Sequence, residues 1–350
     1  MSGPGVDRVF KRLERLYAIG GGLGANRPEY SPEEDEAHEL AAAWMEEAGL
    51  EVSRDGAGNL LGVRGEARVW TGSHLDSVPS GGRFDGALGV VAGIEAAERL
   101  AGTPLAVVAF RGEEVGCLGS RACCGGAGPL PAVFVELHVE QGPRLEQAGA
   151  PLGVATGIVG YARREVRFEG RAGHAGTTPM DAREDALCAA AEFVLRVRRA
   201  AGGIEGAVAT VGRLEVEPGG VNVIPGGVTL TVDARAPDEE RLDRLLAALD
   251  LAREPRTPPV AFDEGVRRAL AEEAARLGVE AVELPSGAGH DAGILAAAGV
   301  ASGMLFVRSL AGGISHHPDE ESSPEDIALA VDVLAATLNR LASSTRIDRV

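Results

Sequence analysis

Lysine is almost missing from this 350-residue sequence, where Lys11 is the only one. Arginine does not make up the deficit, and the formal net charge is −18. A surface of that sign repels polyanions, so neither nucleic acid nor an anionic membrane is expected as the main partner. Cysteine is scarce too. Cys117, Cys123, Cys124 and Cys188 form neither the spaced pairs of a zinc ribbon nor the framework of a small secreted domain, and they read as reduced and mostly buried. The N-terminal stretch has no long apolar run and carries Asp7, Arg8, Lys11, Arg12, Glu14 and Arg15. Neither a secretory leader nor a membrane span is expected there, and a cytoplasmic location follows. No internal repeat or low-complexity block interrupts the chain. A charged fraction of 25% and a hydrophobic fraction of 45% are those of a globular protein, which excludes disorder and fibrous architectures.

The patterning that is present alternates between two periods. Ser31-Pro32-Glu33-Glu34 supplies an N-cap, a proline at the first helical position and a capping-box glutamate. Leu40, Ala41, Trp44 and Ala48 follow at helical spacing, and Gly49 ends the run. Short apolar runs at 69–71, 105–110 and 133–137 alternate with helical stretches such as 86–101. That alternation predicts an α/β fold, a mainly parallel sheet with helices on both faces. After about residue 157 the texture changes. An alternating run at 164–168, a helix at 185–199, strands near 208–216 and 228–234 and a helix at 238–249 describe a smaller α+β unit. A proline-rich return at 253–259 leads to a helix at 263–277, a strand at 300–307 and a last helix capped at Ser323. The expected organisation is a discontinuous domain, residues 1–157 and 257–350, with residues 158–256 inserted as a lid.

Several chemically capable residues fall at predicted strand ends. His74 closes Thr71-Gly72-Ser73-His74, and Asp85 comes eleven residues later within Gly81-Gly82-Arg83-Phe84-Asp85-Gly86. Open α/β sheets bind ligands at their carboxyl-end loops. A histidine after a strand is ordinarily a hydrogen-bonded core residue, but glycines on both sides of Asp85 let the backbone bend closely around a ligand. The next strand runs into Arg111-Gly112-Glu113-Glu114. Adjacent glutamates are usually a solvated turn; here one is able to hold a metal while the other stays free as a base. Glu136-Leu137-His138-Val139-Glu140-Gln141-Gly142 brings His138 to the same edge. Histidine, aspartate, glutamate and histidine suit zinc, manganese, cobalt or nickel rather than calcium.

Together these pieces resemble the hydantoinase/carbamoylase family, which contains N-carbamoyl-L-amino acid amidohydrolases, allantoate amidohydrolases and β-ureidopropionases. Gly173-His174-Ala175-Gly176-Thr177-Thr178-Pro179-Met180, Asn222-Val223-Ile224-Pro225-Gly226, Ser286-Gly287-Ala288-Gly289-His290-Asp291-Ala292 and Gly313-Ile314-Ser315-His316-His317-Pro318 agree, and the similarity runs over residues 28–340. The resemblance implies two divalent metal ions per subunit, with His74 and His138 on one, Glu114 and His316 on the other, and Asp85 bridging. His316 is preferred to His317 because it fills the first position of the family's Ser-His-x-Pro pattern. Glu113 would be the general base and Asp76 the partner that orients His74. His174, otherwise a turn histidine, would hold the substrate oxyanion in the active site of the neighbouring subunit of a homodimer. Arg235, otherwise a surface cation, would grip a substrate carboxylate together with Asn222, and Gln141, Gly289 and His290 would complete the pocket.

The activity so implied is cleavage of the carbamoyl or ureido C–N bond of an N-carbamoyl-L-amino acid or allantoate-like substrate. A deacylase or dipeptidase acting on an ordinary amide is the alternative, and His138 within Glu-Leu-His-Val-Glu-Gln-Gly favours the former. A binding protein that has kept only the fold is disfavoured, because no ligand is missing and Glu113 is present. Three departures from the family pattern stand out: a shortened stretch between Arg235 and Phe262, Tyr161 where many relatives have glutamine, and Val115-Gly116-Cys117 after the paired glutamates.

Overall fold

The computed structural model describes residues 4–344. They fall into two compact units, one combining the chain up to Ile158 with the chain from Ala261 onward, the other Val159–Val260. The first begins with α1 (Pro4–Tyr17), α2 (Pro32–Glu47), β1 (Glu51–Arg54), β2 (Leu60–Arg64), β3 (Val69–His74) and α3 (Ala87–Arg99). It continues through β4 (Leu105–Phe110), α4 (Leu118–Gly125), β5 (Val133–Val139), α5 (Arg144–Ala148) and β6 (Leu152–Ile158). The inserted unit contains β7 (Gly160–Glu169), β8 (Gly173–His174), α6 (Ala186–Gly202), β9 (Val208–Glu217), β10 (Val223–Ile224), β11 (Gly227–Ala236) and α7 (Glu239–Ala248). The chain then returns with β12 (Val260–Ala261), α8 (Glu264–Arg276), β13 (Val282–Ser286), α9 (Asp291–Ala297), β14 (Ala301–Val307) and α10 (Pro324–Ser344).

The large sheet has the order β1-β2-β4-β3-β5-β14-β6-β12, with β13 paired to β6. Its centre, β4-β3-β5-β14, is parallel, while β2 and β6 run antiparallel to their inner neighbours. Both faces of that centre are covered, so its strands read as unbroken apolar runs. The two-residue period sorts the side chains into two layers. Val69, Leu105, Val107, Ala109, Val133, Val135 and Leu137 join a core with α1, α2, α3, α8 and α10. Trp70, Ala106, Val108, Phe110, Phe134 and Phe306 point the other way, against Ala292 and Leu295 of α9. The even-numbered positions of β3 and β5 that are polar, His74, Glu136 and His138, therefore open on the α9 side.

Local signals behave as their chemistry requires. The Ser31 side chain accepts from the Glu34 amide, Asp238 from Arg241 and Asp263 from Val266, each capping a helix. β3 and β5 reach further than their apolar runs alone suggest, so that His74 and His138 are strand residues. The expectation of mostly buried cysteines holds only for Cys117. Cys123 and Cys124 are half-buried and Cys188 is exposed on the first turn of α6; all four are free.

Among the described residues α10 is long and apolar enough to cross a membrane by length and composition. Its apolar face, Ile327, Val331, Val333, Leu334 and Leu338, is packed into the core against the sheet. Truncation of Leu334 to alanine is expected to cost about 2–5 kcal/mol as a core cavity, read from denaturant melts. An unchanged midpoint would mean that this face does not pack as described.

The inserted unit is an antiparallel sheet, β7-β11-β9, with α6 and α7 on one face. Val228, Leu230, Val232 and Ala234 of β11 point toward Ala190, Phe193, Val197, Leu242 and Leu246 of the helices. Asp233 and Arg235 take the opposite face. β8 and β10 form a separate two-stranded pair in which His174 lies opposite Val223.

Candidate active site

β3, β4 and β5 are neighbours in the parallel centre, so their carboxyl ends deliver His74, the Glu113-Glu114 turn and His138 to one edge. Asp85 arrives on the turn before α3, and His316 on the long loop after β14. Gly86, at φ +62, is the hinge of that turn, and a Cβ there would collide with the His74 ring.

The two carboxylate oxygens of Asp85 are divided. Oδ1 lies 3.5 Å from His74 Nε2 and 3.2 Å from His138 Nε2. Oδ2 lies 3.3 Å from His316 Nε2, which is also 3.3 Å from Glu114 Oε2. The side chains thus form two donor groups, His74-Asp85-His138 and Asp85-Glu114-His316, that share one residue.

The imidazoles are fixed from behind. His74 Nδ1 faces the Asp76 carboxylate at 3.3 Å and its carbonyl at 3.2 Å, and His138 Nδ1 faces the Val139 carbonyl at 2.9 Å. These contacts suit a proton on Nδ1, which would leave Nε2 to face a cation. His74 Nε2 is buried with no hydrogen-bond partner among the described residues. Asp76 also accepts from the backbone N–H groups of Glu113 and Glu114, both at 3.1 Å, so one carboxylate orients a histidine and the glutamate turn together. Gln141 donates to Asp85 Oδ2 at 2.8 Å. Gln141 and His316 both sit in the left-handed region, at φ 56 and 54, a strain of about 1–3 kcal/mol for a non-glycine residue that is typical of functional sites.

Charge at this edge is excessive and mutually perturbing. Burial raises Glu113 well above its ordinary carboxyl value against the pull of His74, with Asp291, Glu114 and Asp85 adding to the rise. Burial also works to raise Asp85, but the facing imidazoles of His138, His316 and His74 hold it well below the usual range. His316 is raised to about 9, first by its hydrogen bond to Asp85. Such a concentration of carboxylates and imidazoles at one edge matches the donor chemistry of a divalent cation site.

His290 tilts against the His138 ring with centroids 4.5 Å apart, and its Nδ1, without a hydrogen-bond partner among the described residues, stands 4.0 Å from Glu113 Oε1. Gly289, beside it, is exposed, with open space where a side chain would be. In the inserted unit, His174 is exposed and its Nδ1 accepts from Gly176 at 3.0 Å, while the Asn222 carbonyl accepts from Ala175 at 2.9 Å. Arg235 pairs with Asp233 in its own strand at 2.8 Å and lies opposite Tyr161, its guanidinium 5.8 Å from the ring centroid.

Sequence reasoning missed a layer of polar residues beneath these groups. Glu136 accepts from Ser73 Oγ at 2.6 Å and from the Ala292 amide at 2.8 Å. Asp291, pushed up to about 8 by burial and then by Glu136, accepts from Ser120 Oγ at 2.6 Å. Glu320, pushed up to about 7 by burial and then by Asp85, accepts from the amides of Phe84 and Asp85. The one available signal was Gly82, where a Cβ would collide with the Glu320 carboxylate.

Residues 70–340 match peptidase family M20/M25/M40. An N-carbamoyl-L-amino acid amidohydrolase of Geobacillus stearothermophilus is 36% identical, over 96% of this chain and 98% of its own. The chain belongs to the M20/M25/M40 family. A ureidoglycolate hydrolase of Oryza sativa subsp. japonica is 32% identical over 89% of this chain and 79% of its own. The crystal structure of a hydantoinase/carbamoylase family amidase from Burkholderia multivorans superposes with a TM-score of 0.89 at 32% identity, covering 96% of this chain and 98% of that one. This M20/M25/M40 member is an enzyme, a hydrolase, and its amidohydrolase relatives act on non-peptide C–N bonds.

Proposed function

We propose that this chain is a dinuclear metal-dependent amidohydrolase that cuts the carbamoyl or ureido C–N bond of a small carboxylate-bearing substrate, an N-carbamoyl-L-amino acid or an allantoate-like compound. The division of Asp85 between two donor groups is the observation that supports it most. His74, His138 and Asp85 Oδ1 would hold one cation, and Glu114, His316 and Asp85 Oδ2 the other, with zinc, manganese, cobalt and nickel all suited to the donors. When bound, two such cations supply the charge that lowers the pKa of water and offsets the charge developing on a carbonyl oxygen.

The chain's own groups do the rest. Glu113 accepts a proton from water and passes it to the departing nitrogen; its burial makes it a better acceptor than a solvated glutamate. Asp76 keeps the Glu113-Glu114 turn in register with His74. Gln141, Gly289 and His290 are assigned to the substrate, His174 to its oxyanion, and Asn222 and Arg235 to its carboxylate, in a cytoplasmic homodimer. Asp233 already fixes the orientation of the Arg235 guanidinium through Nε and Nη2.

Metal-reconstituted enzyme tested on N-carbamoyl-L-amino acids, allantoate, β-ureido acids and N-acyl amino acids is expected to release ammonia from the first three and little free amine from the last. Faster turnover of the N-acyl compounds would replace this proposal with an ordinary deacylase. On the best substrate, Arg235→Ala is expected to raise KM by about 10–100-fold, the worth of a charged hydrogen bond, with a much smaller change in kcat.

A further inference from the structure

Glu320 contributes nothing to either donor group, yet its side chain is buried at their junction. Oε2 accepts from Phe84 N at 2.6 Å and from Asp85 N at 3.2 Å, across 236 and 235 residues of chain. Oε1 is 3.1 Å from the Ser315 hydroxyl, which is also 3.0 Å from Asp85 Oδ2. The Glu320 amide donates to the His317 carbonyl at 3.0 Å, tying the side chain's own backbone to the loop that carries His316. One carboxylate therefore clamps the turn bearing Asp85 to the loop bearing His316.

Ser315 has a single hydroxyl hydrogen and two carboxylates to serve. While Asp85 Oδ2 faces no cation, that hydrogen is shared between rivals; once a cation takes Oδ2, it is released to Glu320 and the clamp is completed. The two histidines on the other side of the cluster do not depend on this device. His74 and His138 are set by β3 and β5 and by their contacts to Asp76 and the Val139 carbonyl.

We propose that Glu320 is a positioning residue for the second cation: by holding the Phe84 and Asp85 amides and the Ser315 hydroxyl, it aims Asp85 Oδ2 at His316 and Glu114. The assignment rests on the dinuclear reading above. It differs from a general stabilising role in that the second cation should feel its loss far more than the first, whose two histidines are held independently.

The test is titration of metal-stripped protein with Mn²⁺, read by calorimetry and by metal content after dialysis. Wild type should take up two ions. Glu320→Ala is expected to weaken the second by about 10–100-fold, the usual cost of losing a partner that orients a metal ligand, with the first ion affected much less and the circular dichroism unchanged. Glu320→Gln, whose amide oxygen can still accept from both backbone N–H groups, should bind both ions within a few-fold of wild type. If Glu320→Ala does not give folded protein, Glu320→Asp replaces it, since a carboxylate one methylene shorter cannot reach both amides. Two ions bound as in wild type, or both weakened alike, would overturn the assignment. Wild type that binds fewer than two ions sinks the dinuclear reading itself, and this assignment with it.

Discussion

Glu113→Gln should bind metal like the wild type and release ammonia about 10²–10⁴-fold more slowly, the usual contribution of a positioned acid or base. Glutamine preserves the volume of the side chain and the backbone N–H bond to Asp76. It also keeps an oxygen for the Cys117 thiol, 3.8 Å away, while removing the lone pair that takes a proton. The substitution removes a buried charge, so the metal-free protein should be no less stable. Metal content, a thermal melt and kcat for the best substrate separate the outcomes. Near-normal turnover would remove Glu113 from the chemistry; lost metal would instead make it a ligand, a real alternative with Oε2 only 3.7 Å from His74 Nε2.

Asp85→Ala carries the second large effect. Both donor groups lose an oxygen, and three imidazoles lose the charge that organises them. Affinity should fall at both sites by more than the about 10–100-fold attached to outer partners. Ammonia release should drop to background and stay there when excess metal is added. His316→Ala provides the contrast, since it touches only the group containing Glu114 and should leave one cation bound. Full-affinity retention of either ion in the Asp85 variant would show that the carboxylate is not shared.

What could be read in the sequence was whatever leaves a local mark. His74, Asp85, Glu113, Glu114 and His138 each follow a strand or stand between glycines, and the parallel centre of the sheet brings them to one edge. The central strands were legible because burial on both faces makes them continuously apolar. The short outer strands β1 and β2 were not: Glu51–Arg54 is polar and largely exposed, and pairing with β2, not composition, makes it a strand. Ser120 left no mark, Glu320 none beyond Gly82, and Ser315 and Asp291 none beyond the motifs that contain them. Their role lies in side-chain bonds to groups far along the chain, 171 residues for Ser120 and Asp291, and a polar residue in a loop looks the same whether solvated or buried. In the inserted unit, the face of β11 that carries Arg235 follows from simple alternation, whereas its bond to Asp233 does not.

The distance along the chain between Phe84 and Glu320 has a consequence for synthesis on the ribosome. His74, Asp85 and His138 are translated long before the loop after β14, so the donor group containing Glu114 cannot be completed until the last part of the chain is made. On the proposed dinuclear reading, uptake of the second cation is therefore coupled to docking of the C-terminal segment.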